Sequence, residues 1–140
     1  MSIRQVDALT EGQLVQLTDL FKDLWWTPGR TLDDVRVAVA HSSVVIALID
    51  SDADERLVGF CRLLTDFVYR AMLYDVAVDP AYRGQQLGQR LMEAVVEHPR
   101  LNNVDAIALN CAGDLVPFYE RFGFETQEPH LFSMRRKKIA

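Results

Sequence analysis

Between an apolar run and a helix-like pattern lies Arg83-Gly84-Gln85-Gln86-Leu87-Gly88-Gln89, where two glycines and an arginine stand at a strand-to-helix boundary. Glycine there lets the backbone turn tightly and removes side chains that would hold a ligand away. The first N–H groups of a helix have no intrahelical partner, and the aligned peptide dipoles leave that end partly positive. Such a terminus attracts an anion before any side chain contributes. Arg83 adds a guanidinium whose fork suits a phosphate. The same residues would also serve an ordinary turn with a surface arginine, and the spacing alone leaves both readings open.

Other constellations are missing. No GxxxxGK[ST] occurs, and Gly84 and Gly88 do not make the GxGxxG of a dinucleotide fold. His41, His98 and His130 are scattered and form no HExxH pair, so no metal is expected. A nucleophilic serine in GxSxG is also absent. The second stretch with chemical potential is Phe118-Tyr119-Glu120-Arg121-Phe122-Gly123-Phe124, where a phenol sits among aromatic rings.

These stretches need a scaffold. The chain has 140 residues, 49% of them apolar, which suits one domain over residues 1–140. A formal charge of −5 argues against a nucleic-acid binder, since phosphate contacts need clustered Lys and Arg. Arg135-Arg136-Lys137-Lys138 reads as a solvated end. Cys61 and Cys111 fall in apolar, strand-like runs and read as small hydrophobes. No signal-like or membrane-length apolar run appears, so a cytoplasmic setting without membrane contact is expected.

Ile3 to Val6 reads as a first strand. Thr10 with Gln13 resembles a capping box, and Leu14, Leu17, Phe21 and Leu24 follow at helical spacing. Thr31, with Asp34 at the box position, opens a second helix that turns Leu32, Val35 and Val39 inward. Ser43 to Ile49, Arg56 to Thr65 and Ala71 to Val78 read as strands, the first two as a hairpin, and Asp79-Pro80 ends the third. Leu87, Leu91, Ala94 and Val95 share a helix face that closes before Pro99, and Asn103 to Cys111 reads as a strand parallel to the third. Asp114 would cap a short helix ended by a left-handed Gly123, and Leu131 to Arg135 would be a last strand. The class is α+β: a mixed, mostly antiparallel central sheet with helices on both faces.

At this point YDVAVDPAYRGQQLGQRLMEAVV, followed by LVPFYERFGF, resembles the GNAT superfamily of acyl-CoA-dependent N-acetyltransferases. Arg83-Gly84-Gln85-Gln86-Leu87-Gly88 matches the family's Q/R-x-x-G-x-G/A, with Gln86 where glycine is usual, a side chain tolerated if its backbone is helical. The second stretch matches the family's FYxxxGF. The resemblance extends over nearly the whole chain and implies a fold with a splayed parallel strand pair.

It also implies roles. Arg83, Gly84, Gln85, Gln86, Leu87, Gly88 and Gln89 would hold the pyrophosphate of acetyl-CoA. The strand Val76, Ala77 and Val78 would pair by its backbone with the pantetheine arm, which leaves Val76 and Val78 free to be core as well. Asn110 and Phe118 are implied cofactor contacts, and Cys111 is read as structural. An amine would attack the thioester, with Tyr119 as general acid; packing in an aromatic stripe is the other reading of Tyr119. Asp75 is the candidate general base, with Asp66 and Glu120 as other carboxylates nearby in sequence and a water relay as its rival. Trp25, Trp26, Arg30 and Tyr74 would line the acceptor pocket, with at least one tryptophan in the core. Aromatic faces plus acidic charge would favour a cationic amine of a small molecule or peptide. A homodimer is allowed. The alternative is a non-catalytic acyl-CoA-binding sensor or interaction domain.

Overall fold

Thr10 starts the first helix as the sequence implies: its hydroxyl accepts the Gln13 N–H at 3.2 Å, and the Gln13 side chain accepts the Thr10 N–H at 2.9 Å. In the computed structural model, which describes residues 1–127 and 131–138, this helix, α1, spans Glu11–Lys22. Thr27 ends it, donating its buried hydroxyl to the Phe21 carbonyl at 2.6 Å. Thr31 caps α2 (Leu32–Ala40) by accepting the Asp34 N–H at 3.2 Å. The backbone divides into two units, Met1–Leu109 and Asn110–Ala140.

In the first unit a sheet runs in sequence order. β1 (Ile3–Val6), β2 (Val44–Asp50), β3 (Arg56–Thr65) and β4 (Arg70–Val78) pair antiparallel, and β5 (Ala106–Ala108) joins β4 in parallel. Every residue of β2 is buried, because both faces of the sheet are covered there. On one face Leu14, Leu17 and Phe21 of α1 and Val35 of α2 pack against Val45, Ala47, Ile49 and Phe60. On the other, α3 (Leu87–Val96) buries Leu87, Leu91, Met92 and Val95. Among the described residues, no helix is long and apolar enough to cross a membrane.

Two expected strands are curtailed. Of Asn103 to Cys111 only Ala106–Ala108 pairs, and Cys111 is exposed instead of joining the core. Leu131 to Arg135, expected as a last strand, takes no regular structure, and Phe132 and Met134 are exposed. The expected hairpin, in contrast, forms, with Asp50 opposite Arg56 and a register shift between Leu48 and Ile49.

β4 carries a bulge. Phe60 faces Ala77 and Arg62 faces Tyr74, so Cys61 stands opposite both Asp75 and Val76. Asp75 absorbs the extra residue in the left-handed region, φ 59°, at a cost of about 1–2 kcal/mol for a side-chain-bearing residue. Two guanidinium groups offset that cost. Arg30 grips both carboxylate oxygens at 2.9 and 3.1 Å, and Arg62 Nε donates at 2.8 Å. The Asp75 side chain is only 6% exposed. Burial pushes its carboxyl up, but hydrogen bonds and charge from Arg30 and Arg62 outweigh this and hold it below the ordinary carboxylate range.

A carboxyl depressed by folding stabilises the protein above its unfolded pKa of about 3.9 and loses that contribution as pH falls through the lower folded value. Asp75→Asn should therefore cost about 2–3 kcal/mol near pH 7 and flatten the loss of stability in acid. Urea midpoints followed down from pH 5 check this; parallel curves for variant and parent would refute it. The cysteines give a second check. Burial raises the Cys61 thiol to about 12, whereas Cys111 is open. Iodoacetamide should label Cys111 in the native protein and Cys61 only in denaturant, as read by mass spectrometry.

Candidate active site

The glycine loop is tied down at its stem. Asp79 accepts the Ala81 N–H at 2.9 Å through one oxygen and Arg56 at 2.7 and 3.1 Å through the other. Tyr82 donates its hydroxyl to Asp50 at 2.6 Å. That bond is the main reason the Asp50 carboxyl lies low and the Tyr82 phenol lies high. None of these four anchors was singled out from the sequence. Asp79-Pro80 signalled only a stop, because ion pairs across strands have no local spacing.

Beyond Tyr82 the chain opens out. Arg83, Gly84, Gln85 and Gln86 are exposed, Leu87 is buried, and Gly88 and Gln89 are half-buried. Gly84 takes φ +82° and Gln86 φ +62°, so Gln86 is left-handed and the helical backbone that would have made its side chain easy to tolerate is not the one adopted. The residue must reverse the chain into α3, which explains why glycine would suit the position. No side chain caps α3, and its hydrogen-bond ladder opens with the Arg90 N–H on the Gln86 carbonyl at 3.1 Å. The N–H groups of Leu87 and Gly88 therefore stand ahead of the ladder. Among the described residues Arg83 makes no ion pair, so its guanidinium is available beside that terminus.

The strand leading into the loop has an open edge. β5 pairs with Arg70, Ala71 and Met72 and then stops, while β4 continues through Val76, Ala77 and Val78. On that side the backbone has no strand partner among the described residues, an edge of the kind that accepts an extended ligand as an added strand. Val76 and Val78 are half-buried and Ala77 is buried, so the valines are less deeply core than they could have been.

On the face of β3 and β4 under α1 and α2 lies a cavity of about 200 Å³. Phe21, Val35 and Phe60 form apolar walls, and Arg30, Arg62 and Asp75 supply charge. Arg30 stacks over Phe21 at 4.6 Å and Arg62 over Tyr74 at 5.1 Å. The structure thus brings Arg30, Tyr74 and Asp75 together. It leaves Trp25 and Trp26 out of the lining, 80% and 38% exposed. Neither is core, because the helix ends at Lys22 and its inward stripe ends with it. Asp75 is also a poor base: its lone pairs are held by two arginines and its proton affinity is lowered. A larger recess of about 420 Å³, lined in part by Asp7, Ser42, His98 and Arg100, contains no loop or bulge residue.

The second unit holds the aromatic segment. A 3₁₀ turn, Gly113–Leu115, leads into α4 (Val116–Glu120), which starts without a side-chain cap where Asp114 was expected to supply one. Tyr119 is buried, 8% exposed, edge-on to Phe118 at 5.0 Å and to Phe124 at 6.2 Å. Gly123 ends the segment at φ +90° as expected. Asn110 is exposed and outside regular structure.

Comparison with known proteins bears on this arrangement. The model of the acetyltransferase (GNAT) family matches residues 9–124, taking in both the loop and the aromatic segment. An N-acetyltransferase, ycf52, of Porphyra purpurea is 34% identical over 112 residues, 79% of this chain and 64% of its own length. GCN5-related N-acetyltransferase 2, chloroplastic, of Arabidopsis thaliana is 35% identical over 132 residues, 82% of this chain and 51% of that protein. The chain therefore spans between half and two thirds of these relatives. The crystal structure of a GNAT-family protein from Xanthomonas campestris pv. campestris shares the fold with a TM-score of 0.83 at 28% identity, over 98% of this chain and 94% of that one. Motif, family model and fold agree: the chain belongs to the GNAT acetyltransferase family.

Proposed function

We propose that this protein is a single-domain N-acetyltransferase that moves an acetyl group from acetyl-CoA to a primary amine of a small molecule or peptide. The observation that carries the reading is the uncapped start of α3, reached through left-handed Gly84 and Gln86 after a strand edge that has no partner among the described residues. A diphosphate suits the first feature and an extended pantetheine arm the second. The family match across residues 9–124 supports treating both backbone units as one domain.

Acetyl-CoA would supply an activated acyl group with a thiol leaving group. The Leu87 and Gly88 amides, with the Arg83 guanidinium, would hold its phosphates, and Val76 to Val78 would align its arm. Tyr119 is the proposed proton donor to the departing sulfur, supported by its match to the family motif. Its close packing with Phe118 and Phe124 restrains the ring, which fits a positioned acid and equally a packing residue. Since Asp75 is ionised and held by Arg30 and Arg62, water is assigned the removal of the amine's proton. With Asp75 so held, one rival is also favoured, a non-catalytic acyl-CoA sensor.

Calorimetry with coenzyme A tests the binding half. Arg83→Ala should weaken affinity about tenfold or more through one lost charged contact, and Gly88→Val should weaken it too; unchanged affinity in both removes the site. Thiol release over a panel of amines tests catalysis. Tyr119→Phe should lower kcat at least about a hundredfold with KM little altered, and a silent wild type that still binds coenzyme A would establish the sensor instead. Gln86→Gly relieves a left-handed side-chain residue and should raise stability by up to about 1 kcal/mol while keeping coenzyme A affinity. A lower urea midpoint would contradict the strain assigned to Gln86.

A further inference from the structure

The cavity beside the bulge holds unbalanced charge. Asp75 is met by two guanidinium groups, Arg30 and Arg62, all three lining the same space of about 200 Å³. Both terminal nitrogens of Arg30 and Nε of Arg62 are engaged with the carboxylate. Arg62 Nη1 reaches the Ser42 hydroxyl at a long 3.4 Å, and its Nη2 makes no hydrogen bond among the described residues. Yet among those residues no buried side-chain nitrogen or oxygen lacks a partner, so Nη2 faces accessible space. The side chain is 15% exposed and lines the cavity.

One positive charge is therefore left over, against the apolar walls of Phe21, Val35 and Phe60, where screening is weaker than at the surface. Asp34 also lines the cavity, but it is exposed on the first turn of α2 and its charge is spread into solvent. The volume is that of about seven waters at roughly 30 Å³ each, enough for an amino acid and too small for a length of peptide. A cationic acceptor, expected from aromatic and acidic surroundings, would meet two guanidinium groups here: the tryptophans lie outside, Arg30 covers the Phe21 ring and Asp75 is doubly paired.

We infer that the acceptor is a small amine bearing a carboxylate, with Arg62 and the open side of Arg30 as its specificity determinants. The inference rests on the acetyl-transfer reading, because it names the acceptor class for that reaction. Arginine provides the planar donors a carboxylate matches, and a carboxylate would convert the surplus charge into a balanced pair of pairs.

Calorimetric titration of glutamate, β-alanine, their amides and spermidine, with and without saturating coenzyme A, tests it. The acids should bind at least about tenfold more tightly than the amides or spermidine, the loss associated with one charged hydrogen bond. Arg30→Gln leaves Asp75 paired with Arg62 and should shrink that preference. Propionate, a carboxylate without an amine, should compete with the acids on the unaltered protein, which provides a readout if Arg30→Gln does not fold. Equal binding of acids and amides, tighter binding of spermidine, or no binding by any acid overturns the inference. Thiol release from acetyl-CoA reports separately on the underlying reaction. Acid-selective binding without thiol release sinks the transferase and spares the cavity's selectivity; thiol release favouring amides or spermidine does the reverse.

Discussion

A single carboxylate, Asp75, held by Arg30 and Arg62 at an extra residue in β4, is the interaction on which the rest of the first unit depends. A regular strand would alternate Tyr74 and Asp75 to opposite faces. The bulge instead lets Arg62 meet both, by hydrogen bond and by ring stacking. It bends the strand where β5 leaves it, after Met72. The same group that shapes the strand also sets the electrostatics of the cavity below it. Since Arg30 precedes α2 and Arg62 lies on β3, the bulge is braced by elements far apart in the chain.

In the proposed acetyl-CoA site, backbone rather than side-chain chemistry would dominate. The loop after β4 contributes amides, not acids or bases, and its side chains mostly face solvent. Such a site needs a rigid stem, because an amide aims only as well as its backbone is fixed. Asp79 with Arg56 and Tyr82 with Asp50 provide that stem from β3 and β2, and Leu87 anchors the far end in the core under α3. A protein with a net charge of −5 can in this way present locally positive ground to an anion without a basic patch.

The second unit relies on ring packing. Phe118, Tyr119, Phe122 and Phe124 meet edge to face, an arrangement aromatic quadrupoles favour. A helix as short as Val116–Glu120 has little stability of its own, and the rings together with the left-handed Gly123 define where it starts and stops. Tyr119 is the one residue of that helix that is buried.

Local rules were enough for much of this. Caps at Thr10 and Thr31, the hairpin from β2 to β3, the glycine at position 123 and the helix after the loop all follow from interactions within a few residues, which sequence spacing records directly. The sequence by itself also marked Arg83 to Gln89 and Tyr119 as chemically capable, since a glycine-rich helix start and a family motif are both contiguous. It could not place Trp25, Trp26 or Cys111, whose burial depends on where a helix stops or a strand finds a partner. Nor could it tell that Asp75 is braced by two guanidinium groups. Only the tertiary structure decided that, by bringing two arginines 45 and 13 residues away onto one carboxylate, because charge pairing is set by distance in space and leaves no period along the chain.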